Sequence, residues 1–189
     1  MSERELTPSE QKALLKLARQ TIARLVRAGG DQLPPAGLPG PELARGAFVT
    51  IHRRGRLRGC IGNFAAQGPL TDTVCDMAVA AASEDPRFPP LRADELGDID
   101  LEISVLSPLR PIQDINEIQV GRHGIYIVNP RGRGVLLPQV ATEYGWDRLS
   151  FLDQTCLKAG LAPGCWKDPQ TQILIFSAQI FGEKQTGQA

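Results

Sequence analysis

The chain has 189 residues, of which 42% are hydrophobic and 22% charged, and its 21 basic residues are balanced by 21 acidic ones. This composition excludes an intrinsically disordered chain and a protein that binds polyanions through net charge. Since no apolar run approaches the roughly 18–20 residues of a membrane span, we expect one soluble, cytoplasmic domain over residues 1–189.

The first predicted element is an amphipathic helix over residues 8–28, which packs on the rest of the domain. Thr7 is suited to cap it, and Glu10 completes a capping box. Apolar side chains recur at helical spacing: Leu14, Leu17, Ala18, Ile22, Leu25 and Val26. A Pro- and Gly-rich connector follows over residues 31–46, which we expect to be an ordered surface crossing.

The next predicted elements are a hairpin, a helix and a strand. Residues 47–62 contain two runs of residues that favour β-strands, separated by a basic turn, and residues 69–83 favour a helix. Over residues 98–109 apolar and polar side chains alternate, as in a half-buried strand. The second half repeats this order with different residues. The sequence therefore predicts an α+β fold of two antiparallel hairpin-helix-strand units, with approximate repeats at 46–108 and 119–181.

Four cysteines have spacings that match neither a zinc motif nor the disulfide framework of a small secreted domain: Cys60, Cys75, Cys156 and Cys165. We therefore expect all four to be reduced thiols.

Six motifs are distributed over nearly the whole chain, in the following order: LRGCIG, DPRFPPL…EL, LEISVLSPL, VGRHGIYI, LLPQVATEYGWD and FLDQTCLKAGL…CW. Together they resemble the AMMECR-type domain family in its bacterial and archaeal form, protein A of the AmmeMemoRadiSam system. The resemblance implies two lobes of unequal size, with a cleft between them that bears the family's characteristic residues. It also implies a Memo-type protein and a radical-SAM protein as partners, but no established reaction and no known cofactor.

Cys60 of LRGCIG is the candidate nucleophile. In an unbroken strand Arg58 would share its face, and an adjacent cation favours the thiolate form. Gly59 and Gly62 would permit close approach of a ligand, so Arg58 and both glycines are candidate substrate-binding residues. The alternative is that Cys60 is a small buried hydrophobic residue and that the glycines serve packing or a bulge.

His52 is one possible base for this thiol, and its position depends on the hairpin register. A three-residue turn at 54–56 would pair Thr50 with Cys60 and place His52 alongside. A two-residue turn at Arg54-Gly55 would send His52 to the opposite face. The sequence leaves both registers open.

His123 and Glu143 correspond to family motif positions, and we take both as catalytic candidates. Glu143 is a possible acid, base or partner of Arg58; alternatively it is a first-turn helix residue favoured by the macrodipole, and His123 is an ordinary loop imidazole. Gln139 and Arg87 are further candidate ligand-binding residues.

Asp85 and Arg87, in the same DPRFPPL motif, could pair with each other or bind a ligand.

Two functions stay open. In the first, the cleft holds a small molecule on which Cys60 performs thiolate or acid/base chemistry with Arg58, His123 and Glu143. In the second, the cleft is a non-catalytic surface for the partner proteins. RNA binding through the two basic turns is disfavoured by the zero net charge. Cys60, His123 and Glu143 are conceivable ligands of one metal ion, but their order and separations match no specific metal motif, so we assign no metal site.

Overall fold

The computed structural model describes residues 4–28, 43–64 and 68–186. The predicted α+β class with antiparallel strands is confirmed. Residues 31–42 of the Pro- and Gly-rich connector lie outside the described residues.

The chain divides into two units. The first comprises Met1–Leu106 and Gln179–Ala189, and the second comprises Ser107–Ala178. Among the described residues, no helix has the length and apolar character that a membrane crossing requires.

Helix α1, Pro8–Ala28, begins at the predicted capping box. The Thr7 amide donates to Glu10 Oε2 over 2.8 Å, and the Glu10 amide donates to Thr7 Oγ1 over 3.3 Å. Its apolar face packs on helix α2, Leu70–Ser83, and on the sheet of the first unit. The buried side chains of α1 include Leu14, Leu15, Ala18 and Ile22.

The sheet of the first unit has the strand order β2-β1-β3. Its strands are β1 (Ala47–Arg53), β2 (Arg56–Asn63) and β3 (Ile99–Leu106). Alternate side chains face the helices and form the core, among them Val49, Ile51 and Ile103. The opposite side of the sheet, which we call the polar face, carries Thr50, His52, Cys60, Asp100 and Glu102, since cross-strand partners share a face.

The hairpin between β1 and β2 has the two-residue turn of one predicted register and the Thr50–Cys60 pairing of the other. Its turn has two residues, Arg54 and Gly55, both in the left-handed region with φ of 51° and 78°. A bulge at Arg58 then shifts the pairing, so that Thr50 lies opposite Cys60. His52 therefore shares the face of Cys60 although the turn is the shorter one, because the bulge compensates for the missing turn residue.

The second unit has the strand order β4-β7-β5-β6. Its strands are β4 (Arg110–Ile112), β5 (His123–Asn129), β6 (Gly132–Leu136) and β7 (Gln172–Gly182), the last four residues of which belong to the first unit. Its helices are α3 (Pro138–Glu143) and α4 (Arg148–Lys158). A short helix α5, Glu183–Thr186, follows β7 in the first unit.

In each unit, the backbone of a hairpin glycine lies in direct contact with a backbone carbonyl at a helix. A Cβ on Gly59 would lie 2.1 Å from the carbonyl oxygen of Ala81, and a Cβ on Gly132 would lie 2.1 Å from that of Ala159. No side chain fits in such a gap, so these glycines let strand and helix backbones touch.

The expectation of four reduced thiols is wrong, because Cys156 and Cys165 form a disulfide with a Cα–Cα distance of 5.9 Å. Asp153 of α4 brings the two segments together: its Oδ1 accepts from the Gly164 amide and from Trp166 Nε1, each over 2.8 Å. The spacing of cysteines along the chain could not reveal a loop that folds back on its helix.

Candidate functional site

The main chain of Cys60 is held by the DPRF segment. The Cys60 amide donates to Asp85 Oδ2 over 2.9 Å, and its carbonyl accepts from Arg87 Nη2 over 3.4 Å. Asp85 and Arg87 also bind each other through Nη2 and Nε at 2.7 and 2.9 Å. Of the two predicted alternatives for this pair, mutual pairing is therefore the one found, and it fixes the backbone beside the thiol.

Asp85 is held ionised by this arrangement. Its side chain is almost fully buried, yet hydrogen bonds from the Arg87 side chain, and then from the Cys60 and Arg87 amides, lower the pKa of Asp85 far below its ordinary value against the opposing effect of burial. The buried carboxylate is thus compensated by one cation and two backbone donors.

We expect Asp85→Asn to lower the free energy of unfolding by about 1–2 kcal/mol at neutral pH, because the ion pair with Arg87 is lost and an NH2 group, which cannot accept a hydrogen bond, replaces one carboxylate oxygen. A lowered folded-state pKa contributes stability above the ordinary value of about 3.9, and that stability is lost as the pH falls below it. The difference between wild type and variant should therefore be constant above about pH 5 and shrink toward pH 2 in urea unfolding curves.

Asp94→Asn is the matched control, since Asp94 pairs with Arg92 and both side chains are largely exposed. It should change the stability little at any pH. A gap between wild type and Asp85→Asn that stays constant down to pH 2 would contradict the assignment.

The polar face surrounds the thiol with titratable and hydroxyl groups. The Thr50 hydroxyl donates to Cys60 Sγ over 3.2 Å. Thr50 lies opposite both Cys60 and Glu102, and His52 lies opposite Asp100. Cys60 itself is partly exposed. Sequence reasoning missed Thr50, Asp100 and Glu102 as site residues; the alternation of β3 pointed to a polar side, but only the register shows that it is the side of Cys60.

Arg58 does not accompany the sulfur as alternation predicted, because the bulge interrupts the strand at this residue. Its Nε and Nη2 each donate to Glu95 over 2.9 Å, and Nη1 donates to the Pro89 carbonyl over 2.9 Å. This pairing lowers the pKa of Glu95. All three guanidinium nitrogens of Arg58 thus donate to the segment that precedes β3. The cation that contacts the Cys60 backbone is Arg87.

Two further arginines of the first basic turn also form ion pairs. Arg53 pairs with Glu95 and Asp98, and Arg54 pairs with Asp98. Two carboxylates thus balance two of the four positive charges at 53–58, which weakens the basis for RNA binding there.

The glycines that flank Cys60 face protein atoms. The Ala81 carbonyl fills the space that a side chain at residue 59 would need, and a Cβ on Gly62 would lie 2.1 Å from Cγ of the Phe48 ring. This favours the packing alternative for both residues over direct contact with a ligand.

The remaining candidates lie in the second unit. His123 opens β5, is half-buried, and accepts a hydrogen bond at Nδ1 from the Gln119 amide over 3.2 Å. Gln139 is in the first turn of α3, and its Oε1 is buried without a hydrogen-bond partner among the described residues. Glu143 is exposed at the last residue of α3, so the interpretation as a first-turn glutamate is wrong.

The structure therefore brings Cys60 and Arg87 together within the first unit, with Thr50 and His52 on the same face. His123, Gln139 and Glu143 belong to the second unit, and their predicted roles toward Cys60 stay predictions. Within the described ranges, no three His, Cys, Asp or Glu side chains are placed to hold a metal ion.

Comparison with known proteins gives consistent matches over almost the full length. A family model described as AMMECR1 matches residues 15–181. A protein of Methanothermobacter thermautotrophicus is 44% identical over 94% of this chain and 96% of its own length, and one of Thermococcus gammatolerans is 45% identical over 90% and 89%. The crystal structure of uncharacterized protein PH0010 from Pyrococcus horikoshii superposes with a TM-score of 0.86 at 38% identity, covering 97% of this chain and 96% of that one.

Proposed function

Because this chain belongs to the AMMECR1 family, we propose that it acts on a small molecule through the thiol of Cys60, within the LRGCIG motif by which it resembles that family. The observation that carries the proposal is the position of Cys60. Cys60 is a partly exposed residue of the polar face, and its main chain is fixed on both sides by Asp85 and Arg87.

The polar face offers the groups that a nucleophilic thiol needs. The Thr50 hydroxyl can stabilise a thiolate by donating to the sulfur. His52 is diagonal to Cys60 on the neighbouring strand, within reach of a side-chain contact. No described residue forms an ion pair or hydrogen bond with the Glu102 side chain, which leaves this carboxylate available to a donor group of the substrate.

The chemistry follows from these positions. The Cys60 sulfur uses its electron pair to bond an electrophilic carbon of the substrate, after the thiol proton has passed to His52. The bond from that carbon to its leaving group breaks, and the leaving group departs with the bonding pair and takes the proton from His52. Asp85 and Arg87 act by positioning the backbone of the nucleophile and do not take part in proton transfer.

We expect iodoacetamide at pH 7 to alkylate Cys60 at least about tenfold faster than it alkylates glutathione, because the thiolate is the reactive form. Mass spectrometry of peptides after timed quenching measures the rate at each cysteine. His52→Gln should slow the reaction of Cys60 without changing the fold.

Cys75 provides a control within the same molecule. It is the other free cysteine among the described residues, it is buried, and desolvation raises the pKa of its thiol. It should stay unlabelled until the protein is unfolded. A Cys60 that reacts no faster than glutathione would rule out the nucleophilic role and leave the binding-surface alternative.

The association with Memo-type and radical-SAM proteins rests on the resemblance of the motifs and remains part of this proposal. Such partners would supply or consume the small molecule on which Cys60 acts.

A further inference from the structure

A pocket lies in the second unit, at the turn between β5 and β6. Its volume is about 620 Å³, which is the size of a site for a small organic molecule. Two turns form its walls, residues 128–133 and residues 169–172. The basic PRGRG sequence that occupies the first turn has no role in the chemistry of Cys60.

The two walls are fixed to each other by hydrogen bonds. Buried Asn129 donates through Nδ2 to Thr171 Oγ1 over 2.9 Å, and its Oδ1 accepts from the Arg131 amide over 3.0 Å. Arg131 Nη2 donates to Asp168 Oδ2 over 3.2 Å. Because Gly132 has no side chain, the backbone of the turn lies directly against the Ala159 carbonyl. The pocket is therefore preorganised, and ordering it costs a ligand little.

The charge within this pocket is not balanced. Asp168 neutralises Arg131, whereas no described residue forms an ion pair or hydrogen bond with the guanidinium of Arg133, which is exposed at the pocket. A free guanidinium binds phosphate or carboxylate through two parallel hydrogen bonds. Gln170 and Gln172 add neutral donors and acceptors, and Pro130 and Pro169 add apolar surface.

We propose that this pocket binds a small organic anion, with the phosphate or carboxylate of the ligand on Arg133. Arg131, held by Asn129 and Asp168, lines the same pocket and supplies a second, partly neutralised cation. The inference is independent of Cys60, because every residue in it belongs to the second unit.

Titration of the ¹⁵N-labelled protein with pyrophosphate and, separately, with citrate tests this inference by amide and guanidinium Nε–H chemical shifts. We expect saturable shifts in residues 128–133 and 169–172 with at least one of the two anions. The anion that binds identifies the ligand as a phosphate or a carboxylate. Sodium chloride at matched ionic strength accounts for general electrostatic effects.

Arg133→Gln should weaken the binding at least about tenfold, and Arg133→Lys, which keeps the charge but loses the paired donors, should have an intermediate effect. Arg122→Gln is the matched control, since Arg122 is an exposed arginine of the same unit away from the pocket. The spectra themselves report whether each variant is folded. Absence of saturable shifts, or equal binding by the Arg133→Gln and Arg122→Gln variants, would overturn the proposal.

Discussion

Gly59→Ala is expected to lower the free energy of unfolding by about 3 kcal/mol, although it adds a single methyl group. The added Cβ would lie 2.1 Å from the carbonyl oxygen of Ala81, and both atoms belong to the main chain. Neither β2 nor α2 can relieve the overlap by a change of rotamer, so strand and helix must separate and lose packing between them. Urea unfolding followed by circular dichroism measures the change.

Gly97→Ala is the matched control for this substitution, since no described atom beyond the two neighbouring residues lies within 4 Å of a Cβ added at Gly97. Its effect should be within about 0.5 kcal/mol of zero. If Gly59→Ala were as stable as wild type, the space at Gly59 would be free in solution. The original interpretation of Gly59 as a point of ligand approach would then be restored.

Arg19→Ala is the second substitution with a large expected effect, a loss of about 3 kcal/mol in the free energy of unfolding. Arg19 of α1 binds both carboxylate oxygens of Glu183, whose side chain is 3% exposed. The same carboxylate accepts from the Leu101 amide over 2.8 Å, and Arg19 also donates to the Ile99 carbonyl over 2.8 Å. Without the guanidinium, the buried carboxylate loses the cation that contacts both of its oxygens.

Arg24→Ala, at an exposed position of the same helix, removes the same side chain without a buried partner and should cost less than about 0.5 kcal/mol. The double variant Arg19→Ala/Glu183→Ala should be less destabilised than the sum of the single variants, because the second substitution removes the unpaired charge. Strict additivity in thermal or urea unfolding would contradict the coupling. The pKa of Arg19, which the Glu183 hydrogen bonds raise, agrees with a strong pair.

Some elements could be predicted because their determinants are neighbours in the chain. The capping box of Thr7 and Glu10 fixes the start of α1, and both of its hydrogen bonds are present. The basic turn before LRGCIG predicts the hairpin, since Gly55 is suited to the left-handed turn that joins two antiparallel strands. The six motifs, taken in order, also predicted the family correctly.

The surroundings of Cys60 could not be predicted to the same extent. A bulge of one residue at Arg58 decides which side chains share the face of the thiol, and such a bulge leaves no distinctive signature in the sequence. It turns Arg58 toward Glu95 and places His52 on the side of Cys60. The partners that matter most, Asp85 and Thr50, are 25 and 10 residues away from Cys60.

The amino-acid sequence by itself determined the main helices and strands, the α+β class and the family, because these depend on local periodicity, capping and motif order. Only the tertiary structure decided that Cys156 pairs with Cys165, that the space beside Gly59 is filled by a helix carbonyl, and that Arg133 has no partner among the described residues. The physical reason is that hydrogen bonds, ion pairs and packing depend on distance in space. A shift of a single residue in strand register exchanges one set of neighbours for another.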